Sequence, residues 1–558
     1  MADDVNALAQ EYFDYLLTVW PTWGHLMGNY EHADLYDDAS RGGEDEEIRG
    51  RRAFADRAAA IPADDLSAQD RITREMIAFD GRRNADILEA RFAEFGVDPI
   101  FGPIAGLPVY MPKLPIPNAD VAEAMIAKTR GIAANFRDMG DRLLEGVARI
   151  RTPAAFAVDD TIAQIDRWLA GPIADDPLLQ TAEPTGVADA DAWRSRLRGV
   201  IETDVRPAMG GYRDVLRDKV RAHARDDDHV GLTWLADGED AYGRMVRYHT
   251  TLDRSAEAIH QTGLEQIEKL NAEYRVLGQE VLGTSDVPEI FRRLREDPAL
   301  QHTDGAEIVA ASKTALAKAA AAMGDWFGIL PKAGCDVEET KSGAIAFYFP
   351  PAKDGSRPGV FFMNTSDPTG WGRYQIEATS YHEGIPGHHL QLAISTELAS
   401  VPEFRKRAFI AAYGEGWGLY AERLADEMGI YSTPLDRMGM LEADSMRACR
   451  LVVDTGMHAL GWSRQKAIDY MTDNSPMRVS QIVPEIDRYA VTPGQALAYM
   501  IGRLEIQRIR REAEEALGER FAIKGFHDTV LGSGLLPLPV LERVVRDWVD
   551  GQRAAVPA

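Results

Sequence analysis

The stretch RSAEAIHQTGLEQIEKLNAEYRVLGQEVL, residues 254–282, sets apolar residues three and four apart among Glu, Gln, Lys and Arg. That spacing returns to one face of a helix at every turn. Asp253 and Ser255, at its start, are candidate caps for a long helix through Tyr274. The same pattern recurs near residues 5–18, 120–148, 190–222, 305–328, 436–461 and 495–517. The chain is therefore expected to be mostly α.

Two segments break the helical rule. Pro and Gly crowd DPIFGPIAGLPVYMPKLPIPN, 98–118, which suggests a loop beside a cleft. GAIAFYFP (343–350) and GVFFMN (359–364) are short, apolar and aromatic, with the polar turn DGS (354–356) between them. They predict a β-hairpin. A free strand edge there would suit an extended peptide, and Asn364 is counted among the candidate substrate-binding residues. A purely structural sheet explains the same pattern.

At 558 residues the chain is long for one compact core, so two packed lobes are expected. The polar run 221–228 is the candidate boundary, giving a helical lobe over 1–228 and a second over 229–558; one continuous domain is the alternative. The net charge of −26, spread along the chain, argues against nucleic acid and anionic membranes as partners. The N-terminus MADDVNALAQEYFDYLL has neither the basic start nor the small-residue cleavage site of a signal peptide, and only Cys335 and Cys449 are present. Both features point to the cytoplasm. Oligomeric state is not legible.

The chemistry concentrates in HEGIPGHH, 382–389. A metal that acidifies water, with a carboxylate beside it to take the proton, is what a metallopeptidase requires. The usual helical solution is His-Glu-x-x-His, which places two imidazoles one turn apart. Here Pro386 occupies the position of the second His, and the next histidines are His388 and His389. On a regular helix His388 would lie about 9 Å along the axis from His382, on another face. Both reach one ion only if the helix is looped or bulged, for which Pro386-Gly387 is a plausible cause. Against this, Ser380-x-x-Glu383 also fits a capping box, which would leave Glu383 a helix cap.

A third ligand is available in YGEGWGLYAERL, 413–424, where Glu415 is framed by Gly414 and Gly416. Each helical Gly costs roughly 1 kcal/mol relative to Ala, so close backbone approach is expected there, for a metal or for packing alone. Glu422, two turns on, supports a histidine or is a surface charge. In SMRACRLVVDTGMHAL, 445–460, Arg450, Asp454 and His458 share a face, with Arg447 one turn earlier. An Arg450–Asp454 ion pair accounts for this stripe. A carboxylate-binding arginine and an oxyanion helper in His458 are the functional alternative. Tyr489, in EIDRY (485–489), is either an oxyanion donor or a core aromatic, and Arg488 beside it is a further candidate for substrate carboxylates.

With these motifs in view, the chain resembles the bacterial domain-of-unknown-function family DUF885, grouped with zinc metallopeptidases. HEGIPGHHLQ, YGEGWGLYAERL, RACRLVVDTGMH, DRYAVTPGQALAYMIGRL and FHDTVLGSGLLPLPVLE follow the family's order over roughly residues 340–545. Upstream, the resemblance rests on helical content. The resemblance implies a large helical, metallopeptidase-like fold with a deep cleft. It also implies one zinc held by His382, His388 and Glu415, Glu383 as general base, and Tyr489 or His458 on the oxyanion. His389 stays open as the second ligand. The expected activity is hydrolysis of short peptides. The alternatives are a metal-dependent amidase or esterase acting on a metabolite, and a binding protein without catalysis.

Overall fold

The structure, a computed structural model, describes residues 4–352, 355, 357–399 and 401–554. It is predominantly helical, with one small sheet among the described residues. The stretch quoted first forms the helix Ala256–Leu282. Ser255 rather than Asp253 caps it, accepting a hydrogen bond from the Ala258 N–H, and Gly283 ends it at a φ of 71°. Its buried residues Ile259, Ile267, Leu270, Tyr274 and Leu277 follow the three-and-four spacing. Burying each such side chain contributes roughly 1.5–3 kcal/mol before ordering entropy is counted.

That stripe lies on the helix Pro434–His458, where the Ser445 hydroxyl donates to Tyr274 Oη at 3.2 Å. The 434–458 helix is buried almost all round from Met438 onward. A helix so enclosed is the centre of a large helical fold. Packed against it are the helices Gln375–Glu383, Ala411–Glu427, Val479–Val491 and Ala498–Leu517.

Two large apolar cores result, with two small clusters around the sheet and the 305–326 helix. The larger joins Phe136, Trp193 and Tyr212 to Tyr242, Leu451 and Ile486. The smaller joins Leu8 and Tyr12 of the first helix to Trp417, Phe526 and Leu541. Each core therefore draws on both sides of residue 228. The run 221–228 is itself tied down: the Ala155 N–H donates to Arg225 O at 2.7 Å, and the Arg225 N–H donates to Pro153 O at 2.8 Å.

The sheet has three strands, β1 (Cys335–Thr340), β2 (Ala346–Phe349) and β3 (Gly359–Asn364), in the order β1-β3-β2. β2 and β3 form the expected antiparallel pair, with Tyr348 opposite Phe361. Asp354 and Ser356 of the expected turn lie outside the described residues. β1, parallel to β3, has no signature in the sequence. CDVEET is polar, and only Val337 is buried. β2 is left as a free edge. In the 98–118 segment, residues expected to loop instead form the short helix Pro103–Tyr110, with Pro103 at its first turn where a missing N–H costs nothing. No helix among the described residues is long and apolar enough to cross a membrane.

Candidate metal centre

The histidine segment is a broken helix. Gln375–Glu383 ends at Gly384, the chain turns through a cis Ile385–Pro386 bond, and a new helix, His388–Glu397, starts after Gly387. A Cβ on Gly387 would lie 1.9 Å from His382 O and 2.3 Å from Tyr381 O, so only glycine permits this fold-back. The fold-back replaces the long axial offset of a straight helix by contact. The His382 and His388 rings are 4.8 Å apart, with their planes at 87°. The capping box does not form, because the Ser380 hydroxyl donates back to Ile376 O and Glu383 is the last residue of its helix.

Glu415 enters from the 411–427 helix. Its Oε2 lies 3.6 Å from His382 Nε2 and 3.4 Å from His388 Nε2. These separations exceed the usual hydrogen-bond range. They match ligands on a tetrahedral zinc, whose ~2.0–2.1 Å bonds set neighbouring donor atoms about 3.3–3.4 Å apart. The three donor atoms all lie within 4.8 Å of one another. The glycines around Glu415 serve both purposes weighed from the sequence. Gly416 lets the helix cross 498–517, where a Cβ would come 2.6 Å from Gly502 Cα. Gly418 makes room for the imidazole, since a Cβ there would lie 2.8 Å from His382 Nε2.

Glu422 stands behind the cluster, 1% exposed, and accepts from His382 Nδ1–H at 2.7 Å. This fixes the tautomer that leaves Nε2 as a free donor atom, the usual arrangement behind a metal-binding histidine. Burial alone would lower the His382 pKa. The Glu415 and Glu422 carboxylates overcome it and push the value up to about 9. Burial would likewise raise Glu415, yet His382 and His388 hold it well below the usual carboxylate range. A half-buried and a buried carboxylate, Glu415 and Glu422, thus call for positive charge here, which a divalent cation would supply. The residues present fit zinc in donor type, spacing and charge.

His389 faces away from the cluster. Its Nε2–H donates to Ala333 O at 3.1 Å, and Nδ1 accepts from the Tyr348 hydroxyl at 2.9 Å, so both nitrogens are engaged. Glu383, half-buried and adjacent to His382, lines the same cavity as the cluster, and no described residue pairs with its carboxylate. The cavity has a volume of about 1070 Å³ and takes in the loop from Gly343 to Ile345 and β2 from Ala346 to Tyr348.

The structure does not bring Tyr489 and His458 to this cavity. The Tyr489 hydroxyl donates to Glu485 and accepts from Arg450 Nε at 2.6 Å. His458 Nε2–H donates to Tyr489 O at 3.0 Å, and Nδ1 accepts from the Leu232 N–H at 3.2 Å. Both are buried supports of the fold, and neither lines the cavity. The expected Arg450–Asp454 pair is also absent. Asp454 accepts from the Tyr242 hydroxyl and the Gly494 N–H, while Arg450 turns to Glu485 at 2.8 Å. On a helix enclosed on all sides, partners from other helices displace the i, i+4 neighbour. Asn364 donates to Gly343 O at 3.0 Å and so secures the cavity-lining loop without lining the cavity itself.

Arg447, Arg450 and Arg488 do line the cavity, as does Tyr499, which the sequence did not single out. The Tyr499 ring lies 4.5 Å from the Arg450 guanidinium. Burial and the nearby Glu415 carboxylate keep its hydroxyl protonated. Glu442, in the same wall, accepts from Gln375 Nε2 at 2.8 Å, and burial pushes its carboxyl up from 4.5 to about 7. A folded value above the unfolded one means this group stabilises fully below pH 4.5, with the contribution lost as pH rises toward 7. The difference is worth about 3 kcal/mol at pH 8. Glu442→Gln is therefore expected to unfold in urea at higher midpoint than wild type at pH 8, with the two converging near pH 4. Equal midpoints at pH 8 would show that the buried charge costs nothing.

Comparison with known proteins agrees with this architecture. A crystal structure of a candidate lipoprotein from Colwellia psychrerythraea superposes with a TM-score of 0.88 at 24% identity, covering 98% of this chain and 99% of that one. A candidate lipoprotein of unknown function from Shewanella oneidensis gives 0.80 at 18% identity, covering 98% and 100%. At these identities the likeness is one of fold. No curated protein matches the chain. The family described as "Bacterial protein of unknown function (DUF885)" matches residues 21–545, which extends the resemblance far upstream of the motifs that first suggested it. With nearly its whole length matched, the chain belongs to the DUF885 family.

Proposed function

We propose that this chain is a zinc-dependent peptidase acting on short peptides. The observation that carries the reading is the convergence of His382, His388 and Glu415, with Glu415 Oε2 3.6 and 3.4 Å from the two Nε2 atoms, in a cavity of about 1070 Å³ beside Glu383, which has no partner among the described residues. Zinc bound there would supply Lewis acidity, making water a nucleophile at neutral pH and polarising the scissile carbonyl. Glu383 takes the proton as water adds to the carbonyl carbon, and returns it to the nitrogen as the C–N bond breaks. Tyr499, a protonated phenol in the same cavity, donates to the oxyanion in the role first considered for Tyr489 and His458. The β2 edge offers main-chain hydrogen bonds to an extended substrate. The free Cys335 and Cys449 support a cytoplasmic location, which fractionation of cells would test against the lipoprotein description of the structural neighbours.

The test is metal content by plasma mass spectrometry together with hydrolysis of a library of short peptides. About one zinc per chain is expected, with cleavage abolished by a chelator and restored by zinc. A protein that takes up no metal when zinc is supplied sinks the reading. Zinc binding with no peptide cleaved would turn it toward amides or esters of another class.

A further inference from the structure

The cavity that holds the metal cluster also has a cationic wall. Arg447 and Arg450 come from the 434–458 helix, and Arg488 comes from the 479–491 helix. Glu485 serves two of them, with its Oε2 lying 2.8 Å from Arg450 Nη2 and 2.9 Å from Arg488 Nη2. Arg488 Nη1 donates to Gln495 at 2.6 Å. Arg447 forms no ion pair within 4 Å among the described residues, although Glu442 feels its charge, and its hydrogen bond to Ala443 O is long, at 3.4 Å. Two carboxylates, Glu485 and Glu442, among three guanidinium groups leave this wall positive, in a chain whose net charge is −26.

The wall is also incomplete. Arg450 is 5% exposed, yet its Nη1 has no hydrogen-bond partner among the described residues, and the same holds for the buried Arg447 Nε. Buried guanidinium nitrogens normally find acceptors, and one unpartnered nitrogen on each of two arginines beside the same tyrosine ring fits a planar anion with two oxygens. Tyr499 bridges this wall to the metal cluster. The Arg450 and Arg447 guanidinium groups lie 4.5 and 5.7 Å from its ring centroid, and its hydroxyl senses Glu415. One tyrosine side chain reaches about as far as two extended residues, ~7 Å of peptide.

We propose that Arg447 and Arg450 bind the free C-terminal carboxylate of the substrate, so that the enzyme cleaves within one or two residues of the peptide's C-terminus. The proposal rests on the peptidase reading for its reaction but on the arginine wall alone for its ligand. An Asp or Glu side chain offers the same chemistry, and the test separates the two sources.

Binding is measured by calorimetry on the zinc-supplied full chain carrying Glu383→Gln, which prevents turnover. The probes are acetyl-Ala-Phe as the free acid, its C-terminal amide, and acetyl-Asp-Phe-amide. The free acid is expected to bind roughly 10–100-fold more tightly than the amide, the usual value of charge-assisted hydrogen bonds. Arg447→Gln should remove most of that preference by weakening binding of the free acid far more than that of the amide, and Arg447→Lys should restore part of it. Arg447 is the residue to change because little else in the fold depends on it, whereas Arg450 also supports Tyr489. Equal binding of acid and amide, or no binding of the acid at millimolar concentration, overturns the proposal. An Asp-containing amide that binds as tightly as the free acid overturns the terminal assignment. Acid-selective binding without cleavage of any peptide by the Glu383 enzyme would uphold the subsite while the peptidase reading fails.

Discussion

Glu383→Gln is expected to retain about one zinc per chain and to lose peptide hydrolysis by roughly 10²–10⁴-fold, the usual contribution of a positioned general base. Gln preserves the shape of the side chain but cannot accept a proton from water. The substitution should be structurally silent, because the Glu383 carboxylate holds nothing in place among the described residues. Thermal unfolding should therefore match wild type, and the loss should fall on kcat with little change in KM. Hydrolysis within threefold of wild type would remove Glu383 from the mechanism and direct attention to another base in the cavity.

The metal-ligand series should show a larger effect on zinc itself. His388→Ala and Glu415→Ala each delete one of three converging donors. Their affinities should fall by more than the roughly 10–100-fold that changing an outer-shell partner costs. His389→Ala should keep its zinc, since both nitrogens of that ring are already bonded to Ala333 and Tyr348. Competition with a chromogenic chelator reads all three. Zinc lost from His389→Ala but kept by His388→Ala would reverse the ligand assignment made from the geometry.

Much of this was legible in the sequence because it was written in local terms. The three-and-four spacing of residues 254–282 needs only the helical period to be read, and it predicted the Ala256–Leu282 helix and the fold class. The spacing of HEGIPGHH demanded a broken helix if it was to serve a metal, and Gly384 to Gly387 supply the break. Glu415 stood out because glycines in a helix need a reason.

What escaped was non-local. β1 is a polar edge strand that pairs only because β3 is there to receive it. The choice among Tyr489, His458 and Tyr499 could not be made from spacing. His458 lies on a helix buried almost all round, and for Tyr489 and Tyr499 a buried face does not say whether it meets the apolar core or the cavity. For the same reason the natural i, i+4 partner of Arg450 was the wrong one: Glu485 arrives from a different helix.

The crossing of Gly416 over Gly502 has a consequence for how such a protein can change over time. The 411–427 helix carries Glu415 and Glu422, and the 498–517 helix carries Tyr499 in its first turn. With backbones this close, the two helices form a single rigid frame, and a methyl group at either glycine would act as a wedge between them. Natural variants should therefore be scarce at both positions even though neither residue has any chemistry of its own. Divergence of substrate preference should accumulate instead on the arginine wall and the β2 edge, which can vary without moving the frame.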